Sequence, residues 1–396
     1  MIPPVLSPVS TTALRSGART ALGLEPTPAH PPEEVLRARY RMRHVLLTNS
    51  GTSALVLALK ALTRPGDTVV FPAYACIDLT TAAIGADLRV RLYDLDPATL
   101  SPDLDSVRAA LSRGAEAVVV AHLFGYPADV PAVRRIAEEY SVPVIEDAAQ
   151  AAGGLLAGER LGALADVSVL SFGRGKGMTA GSGGALMTRT AALAAKTTAF
   201  GEQLGRREMG GRELVALAAQ GSLSHPNLYR LPASIPALKL GEMVYHPPTA
   251  PKRMTATAAA LLASALESDA IEVEMRRARA GIFLARAGSY PAATPVRPIQ
   301  GGEPGYLRLA MLGSGPMRRP TSLGVAGGYP STLEQHSQLQ PLLHSGERAG
   351  AGARFLRDHL FTLPTHSRVG PPDVSRLLGW LGAPVRREII LVPAGA

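Results

Sequence analysis

One lysine of the chain lies among glycines, directly after a continuous apolar run. The run Val167–Phe172 is typical of a strand covered on both faces, and the loop Gly173–Gly177 follows it. Glycines let the backbone bend tightly and approach a ligand closely. Lys176, if desolvated there, loses proton affinity and can form an imine with an aldehyde. The alternative is a flexible basic loop. A nucleotide P-loop is excluded, because Gly177 stands where Ser or Thr is required.

Two adjacent carboxylates end a second apolar run. The run Val142–Ile145 leads directly into Glu146 and Asp147. A pyridine ring nitrogen stays protonated only beside an anion, and that protonation makes the ring an electron sink. Asp147 is the candidate for such a partner. The alternative is that Asp147 caps a helix in the alanine-rich segment that follows.

A small turn opens an apolar helical pattern near residue 50. Asn49–Ser53 contains Gly51 and Thr52, and it would present free N–H groups and the positive end of a helix dipole to an anion. A plain Ser or Thr helix cap is the alternative. Together, the phosphate cradle, the ring-nitrogen carboxylate and the imine lysine are what a pyridoxal phosphate site requires. They follow one another along the chain, each after its own strand, where ligands of open parallel sheets bind.

The elements that position these residues alternate between strands and helices from about Val45 to Arg189. This alternation predicts an α/β fold, with a mainly parallel sheet and helices on both faces. Helices are expected at Thr52–Leu62, Pro102–Ser112 and Val130–Tyr140. The predicted strands are Thr68–Pro72, Arg89–Tyr93, Ala117–His122, Val142–Glu146, Val167–Phe172 and Gly184–Thr188.

The pattern divides the chain into three parts. We predict an N-terminal arm at 1–44, a large cofactor-binding domain at 45–255, and a connecting helix with a smaller C-terminal α+β domain at 256–396. Residues 201–251 are rich in Gly, Pro and polar residues, with short segments such as Asn227–Pro232, and they are predicted to form an irregular excursion. The last part is expected to contain helices at Met254–Ala287 and Ala351–His359, and a strand at Tyr306–Leu312.

The composition indicates a globular protein with small anionic ligands. The 396 residues include 41 Lys and Arg against 32 Asp and Glu, a net charge of +9, but the arginines form no stripe with aromatic residues. Nucleic acid is therefore not expected as a partner. No run reaches the roughly 20 apolar residues of a membrane span, and no signal peptide is apparent. With a single cysteine, the sequence predicts a cytoplasmic protein without membrane or metal partners.

Beyond these patterns, the chain resembles the DegT/StrS-type sugar aminotransferases, which are fold type I pyridoxal phosphate enzymes. The resemblance implies an aspartate-aminotransferase-like large domain. The resemblance spans nearly the whole chain and is specific for residues 45–190. The matching stretches are Ser50–Thr52 before an apolar helix, Pro65–Val69, His122–Asp129, Glu146–Gln150, Ser171-Phe172 ahead of Lys176, Leu323–Val325 with Tyr329-Pro330, and Leu363–His366.

The resemblance implies a role for each of the residues singled out above. Lys176 would hold pyridoxal 5'-phosphate as a Schiff base and act in catalysis, with Asp147 as the catalytic partner of the ring nitrogen. Ser171 would join Gly51 and Thr52 around the phosphate group.

Four further positions follow from the same resemblance. Gln150 would face the hydroxyl side of the ring. An aromatic side chain from the segment 71–76 would cover the ring, and Tyr74 is the expected residue. Cys76 would pack near the site, and His122 would support the end of its strand.

The implied activity is transfer of an amino group, from glutamate, to a keto group of a sugar-like and often nucleotide-linked substrate in a biosynthetic pathway. The implied assembly is a homodimer. Arg253 and Arg308 are candidates for binding a diphosphate. Family members often carry an Asn before an Arg-Met pair that reaches the neighbouring subunit, whereas Pro247–Met254 lacks it. The alternatives are another pyridoxal phosphate reaction, such as dehydration or elimination, or a non-catalytic regulatory protein that keeps the fold.

Overall fold

Seven strands form the central sheet of the computed structural model, which describes residues 1–24, 31–223, 243–315 and 319–382. The strands lie in the order β1-β9-β8-β5-β4-β2-β3. Strand β9 runs antiparallel to both of its neighbours, and the other pairs are parallel. The strands are β1 (His44–Thr48), β2 (Thr68–Pro72), β3 (Arg89–Tyr93), β4 (Ala117–Ala121), β5 (Val144–Asp147), β8 (Val167–Ser171) and β9 (Gly184–Thr188).

Both faces of this sheet are buried. In β4, Ala117 and Val119 belong to one apolar cluster, whereas Val118 and Val120 belong to another. Successive side chains of a strand point to opposite faces, so a continuous valine run requires a cover on each side. The predicted mainly parallel sheet with helices on both faces is confirmed. Strand β1 was not predicted, because a short apolar segment that follows a helical one carries no distinct period.

Helices supply the two covers. Residues of α3 and α4 lie in the same cluster as Val119, and residues of α5 and α6 lie in the cluster of Val118. The helices up to residue 223 are α1 (Thr11–Ala21), α2 (Pro32–Arg39), α3 (Gly51–Leu62), α4 (Asp78–Ala86), α5 (Leu104–Leu111), α6 (Val130–Glu139), α7 (Ala191–Gln203) and α8 (Arg212–Leu223).

The stretch 201–251 is less irregular than predicted. Helix α7 reaches into it and α8 lies inside it, with Leu217 fully buried. The segment 212–219 consists of good helix formers, and the Gly and Pro residues around it obscured that signal. Asn227–Pro232 lies outside the described residues, and the domain boundaries at 44 and 255 stay predictions.

A second sheet belongs to the C-terminal part and is antiparallel, in the order β10-β12-β14-β13. Its strand β12 begins three residues later than predicted, since Tyr306 has φ +44° and the backbone there follows a neighbouring loop instead of a strand. These elements are α9 (Ala256–Leu284), β10 (Ala293–Pro295), β12 (Leu309–Gly313), β13 (Ala326–Gly327), α10 (Ala351–His359), β14 (Leu360–Leu363) and α11 (Pro371–Trp380); a small third sheet contains β6 (Leu155–Leu156), β7 (Glu159–Arg160) and β11 (Gly302–Glu303).

The long helix α9 ties distant segments together through arginines. Arg276, 1% exposed, donates to the carbonyl of Gly177 at 2.9 Å and more weakly to that of Leu6 at 3.4 Å. Arg279 donates to the carbonyls of Ser367 and Val369. Two side chains of one helix thus hold the backbone of the lysine loop, through Arg276, and of residues 367–369, through Arg279.

Residues 1–10, here called the N-terminal strap, run along this junction. The N–H of Ile2 donates to Ser322 O at 3.0 Å, and His366 Nε2 donates to Pro3 O at 2.9 Å. Ser7 Oγ accepts a hydrogen bond from the Gly177 N–H. The strap therefore contacts both the lysine loop and the C-terminal part. Among the described helices, none is long and apolar enough to cross a membrane.

Candidate active site

The start of α3 meets the end of β8. Ser50 caps the helix, with its Oγ accepting from the Ser53 N–H at 3.0 Å. A Cβ atom placed on Gly51 would lie 2.6 Å from Ser171 Cβ, so only glycine permits this approach. A helix start has several unpaired N–H groups, and the Ser50 cap uses only that of Ser53. Gly51 and Thr52 line a cavity, so the cap and an anion site are compatible.

Strand β5 ends in two carboxylates that have different surroundings. Asp147 lines the cavity, and its Oδ1 accepts from the Ala149 N–H at 3.0 Å. No helix follows it, so Asp147 is not a helix cap. Burial raises the pKa of Asp147, and the hydrogen bond from Ala149 and the charge of Lys176 oppose that rise. A cationic group placed against this carboxylate would further favour its ionised form.

Glu146 is fully buried on the other side of the strand. It accepts hydrogen bonds from the N–H groups of residues 162, 164 and 165, from Ser168 Oγ, and from His122 Nε2 at 2.8 Å. His122 Nδ1 accepts from the Ala128 N–H at 2.9 Å, so Nε2 carries the proton that is donated to Glu146. Glu146 thus organises the loop at 162–165 and fixes His122 at the cavity wall.

The lysine loop leaves β8 and returns into β9. Gly177, with φ +85°, occupies left-handed backbone space, and a Cβ there would approach Ala152 Cβ to 2.8 Å. Its N–H is bound by Ser7 and its carbonyl by Arg276. Lys176 itself lines the cavity, and its Nζ has no hydrogen-bond partner among the described residues.

These elements bring most of the predicted site together. The inner cavity, narrow at ≈ 50 Å³, is lined by predicted residues from α3, β5, β8 and the lysine loop. It shares lining residues with an outer cavity of ≈ 680 Å³, so the two are continuous. The predicted residues at the inner cavity are Gly51, Thr52, Asp147, Gln150, Ser171 and Lys176.

Tyr74 is the predicted residue that the structure does not bring to the cavity. Its side chain is fully buried, and its Oη accepts from the Tyr329 N–H at 2.7 Å. Burial outside both cavity walls does not favour Tyr74 as the cover of a cofactor ring, and that role stays a prediction. The backbone leaves the strand at Pro72, so the alternation of faces does not continue to residue 74. Cys76 lines both cavities instead, and its Sγ donates to Asp78 Oδ2 at 3.3 Å.

Tyr329 is a wall residue for which the sequence analysis assigned no role. Its Oη accepts from Gln150 Nε2 at 2.6 Å, and Gln150 Oε1 accepts from the Phe124 N–H at 3.1 Å. The rings of Tyr329 and Phe124 stack at 5.3 Å. The Tyr329-Pro330 pair was among the stretches that match the family. The sequence alone does not show that this pair, which lies in the C-terminal part, packs near the end of β5.

The two arginines proposed for a diphosphate differ in position. Arg253 donates from Nε to Gly205 O at 2.8 Å and from Nη2 to Gly201 O at 2.5 Å, so it holds the end of α7. Arg308 lines the outer cavity. No group of three or more His, Cys, Asp or Glu in the described part of the chain could hold a metal ion.

Comparison with known proteins gives a family match over most of the described core. The profile of the DegT/DnrJ/EryC1/StrS aminotransferase family matches residues 30–298. The chain is 38% identical over 152 residues to the L-glutamine:2-deoxy-scyllo-inosose aminotransferase of Streptoalloteichus tenebrarius, covering 38% of this chain and 36% of that protein. It is 35% identical over 149 residues to the UDP-N-acetyl-3-dehydro-alpha-D-glucosamine 3-aminotransferase of Acidithiobacillus ferrooxidans, covering 37% of this chain and 40% of that protein.

These alignments span well under half the length of the curated relatives, whereas the structural likeness is nearly complete. The sugar aminotransferase CalS13 from Micromonospora echinospora superposes with a TM-score of 0.76 at 22% identity, covering 96% of this chain and 99% of that one. At that identity the superposition establishes the fold, which is that of fold type I aminotransferases.

Proposed function

The chain belongs to the DegT/DnrJ/EryC1/StrS aminotransferase family, and on that premise we propose that it is a pyridoxal-phosphate-dependent aminotransferase acting on a keto group of a sugar-like substrate. The observation that carries the proposal is the position of Lys176 in one cavity with Asp147 and the Gly51–Ser171 contact. This cofactor needs a lysine to form the imine, an anion beside its ring nitrogen, and a helix N-terminus for its phosphate.

The residues present fit the cofactor on structural grounds. The close approach of α3 to Ser171 leaves the amides at the start of the helix beside two hydroxyls, those of Thr52 and Ser171. The Asp147 carboxylate accepts one hydrogen bond from the described residues, at Oδ1, which leaves Oδ2 available. When bound, pyridoxal phosphate supplies an aldehyde that bonds to an amine and an electron-poor ring that stabilises negative charge on the adjacent carbon.

The chain's own residues would then bind, orient and move a proton. Thr52 and Ser171 would donate hydrogen bonds to the phosphate, and Asp147 would hold a proton on the ring nitrogen. The Lys176 amine, once released from the cofactor by the amino donor, would act as the acid and base at the reacting carbon. Gln150, fixed by Phe124 and Tyr329, would orient the ring from the opposite edge.

The substrates are proposed from the relatives and from charge. One relative is named for L-glutamine and 2-deoxy-scyllo-inosose, and another for a UDP-linked keto-sugar. We expect an amino acid donor, either L-glutamate or L-glutamine, and a keto-sugar or keto-cyclitol acceptor. A cytoplasmic homodimer is part of the proposal, and an active monomer in sedimentation would contradict that part.

The test is covalent capture at Lys176. Purified protein with pyridoxal phosphate should show a visible absorption band that borohydride fixes to the chain, and peptide mass spectrometry should locate the label on Lys176. Lys176→Ala should bind cofactor without such fixation, whereas Lys60→Ala, an exposed lysine of α3, should behave as the parent does. A band in Lys176→Ala that borohydride still fixes would refute the assignment.

Transamination is tested separately with the amino donors. L-glutamate or L-glutamine should bleach the visible band and release the corresponding keto acid. No response to any amino acid would refute transamination and favour elimination or a non-catalytic role.

A further inference from the structure

The outer cavity is strongly basic. Arg174, Arg308, Arg319 and Arg357 line it, and no aspartate or glutamate is present among the described residues of its wall. Arg357 is paired with Asp358 outside the cavity, and Arg174 and Arg319 are exposed. Such a surface attracts anions, and exposed cations act mainly by steering them.

Arg308 differs from the other three because its guanidinium is enclosed. Its Nε is buried without a hydrogen-bond partner, and Nη1 reaches Thr362 Oγ1 only at 3.5 Å. The guanidinium lies 4.8 Å from the centroid of the Phe124 ring. Burial lowers the pKa of Arg308, and no ion pair to it occurs among the described residues. An enclosed cation without a counter-ion is costly unless a ligand supplies one.

The position of Arg308 connects it to the lysine. The outer cavity that it lines is also lined by Lys176, Cys76 and Gln150. Phe124, under the guanidinium, stacks on Tyr329, and Tyr329 accepts the hydrogen bond of Gln150. The same aromatic pair therefore supports Arg308 on one side and a residue of the inner cavity on the other.

From this geometry we infer that Arg308 binds the α-carboxylate of the amino donor. The inference rests on the proposed function, since it assigns a residue to the first substrate of that reaction. A guanidinium presents a planar fork that matches a carboxylate with two parallel hydrogen bonds. In an amino acid, the amine and the α-carboxylate are bonded to the same carbon. A carboxylate held by Arg308 in the outer cavity, whose wall also includes Lys176, would therefore direct the amine towards the lysine.

A diphosphate is a weaker match for the same position. It carries more than one negative charge and is bulky, so it suits several exposed cations such as Arg174 and Arg319 at the outer rim. A single enclosed guanidinium suits one small anion. Arg308 is accordingly assigned to the donor, and the rim arginines are left for steering.

The first arm of the test compares two donors that differ only at the α-carbon group, L-glutamine and its α-carboxamide. The rate at which each bleaches the Lys176-dependent band is measured. The parent protein should prefer L-glutamine, and Arg308→Gln should lower the rate for L-glutamine by at least about tenfold while changing the amide little. Arg308→Lys, which keeps the charge and loses the fork, should be intermediate.

Arg297→Gln removes the same charge from an exposed residue outside both cavities and should match the parent. Equal losses for both donors in Arg308→Gln would show a structural effect and overturn the inference. An unchanged preference for the carboxylate would also overturn it.

The second arm needs no turnover and separates the two sources of an anion. Calorimetry of the cofactor-loaded protein with glutarate, which lacks an amine, should give binding that weakens at least about tenfold in Arg308→Gln. Binding of uridine diphosphate should change little. If uridine diphosphate binding falls and glutarate binding does not, Arg308 serves the acceptor and the inference is wrong. If glutarate binding depends on Arg308 while no amino acid bleaches the parent's band, the carboxylate site stands and the proposed transamination fails.

Discussion

At the scale of single residues, the candidate site depends on how closely α3 approaches β8. The proposed phosphate end of the site depends on the absence of a side chain at residue 51, because Ser171 occupies the space that a Cβ would need. This contact brings the amides at the start of α3 beside Ser171. Thr52 and Ser171 add hydroxyls to the geometry that Gly51 creates.

Gly51→Ala should therefore damage both stability and cofactor binding. The new Cβ would lie 2.6 Å from Ser171 Cβ, which forces the helix away at a cost of roughly 1–3 kcal/mol in unfolding free energy. Chemical denaturation and titration with pyridoxal phosphate would measure the two effects.

Gly281→Ala is the matched control, because Gly281 lies in the exposed interior of α9 with open space around its Cβ position. This change should stabilise the protein by about 0.4–1 kcal/mol. A Gly51→Ala protein that binds cofactor as the parent does would contradict the assigned cradle.

The residues of the site were predictable to different degrees. Asp147 ends one strand and Lys176 lies in the loop that follows another, and both strands have clear apolar runs, so the position of the two residues at the sheet edge follows from the pattern. Tyr74 lies outside the cavity walls because it follows the strand end, where the alternation of faces no longer fixes a side chain's direction. Arg308 and Tyr329 come from the C-terminal part, and their contact with the cavity depends on tertiary packing that no local pattern encodes.

At the scale of elements, the strands were predictable and the connections were not. The valine-rich runs need cover on both faces, so their sequence alone indicates buried strands. Helix α8 lies among Gly- and Pro-rich segments and was read as irregular, although it buries Leu217. The reversed strand β9 could not be distinguished from a parallel one, because its apolar run is the same in either direction.

Helix α9 shows how one element fixes another. Arg276 Nε lies 3.5 Å from Glu272 Oε1, and Arg276 Nη2 donates to the carbonyl that follows Lys176. Arg276→Met should lower the unfolding free energy by roughly 3–5 kcal/mol, because it leaves Glu272 buried without its cation. Denaturant unfolding with the cofactor absent would measure the loss.

Arg277→Met, a half-buried neighbour on the same helix, should cost much less. The double change Glu272→Gln with Arg276→Met should recover part of the loss, as expected for a coupled pair. An additive double change would mean that the two residues act independently.

At the scale of the whole molecule, the N-terminal strap joins the lysine loop to the C-terminal part. His366 anchors it through Pro3, and the His366 Nδ1 is buried without a partner. Burial lowers the pKa of His366 to about 4, below its ordinary value near 6.5. A proton added at Nδ1 would place a charge in a buried position without an acceptor, so the folded state disfavours the protonated ring.

The expected consequence is a pH-dependent loss of stability. Because the pKa is lower in the folded state, the contribution of His366 is complete above about pH 6.5 and is lost as the pH falls towards 4. The loss should amount to about 3 kcal/mol, at about 1.4 kcal/mol per pKa unit. Unfolding free energies measured from pH 7 to 4 should fall more steeply in the parent than in His366→Gln, which keeps a donor for Pro3. Parallel curves for the two proteins would exclude this role.

The thiol of Cys76 is placed so that its reactivity depends on access to the cavities. It is the sole thiol of the chain, it stands where the inner and outer cavities meet, and burial with the nearby Asp78 raises its pKa to about 12. A protonated, half-buried thiol reacts slowly with disulfide reagents. The rate of that reaction therefore reports how accessible the junction of the two cavities is to solvent, and a ligand that fills the junction should lower the rate.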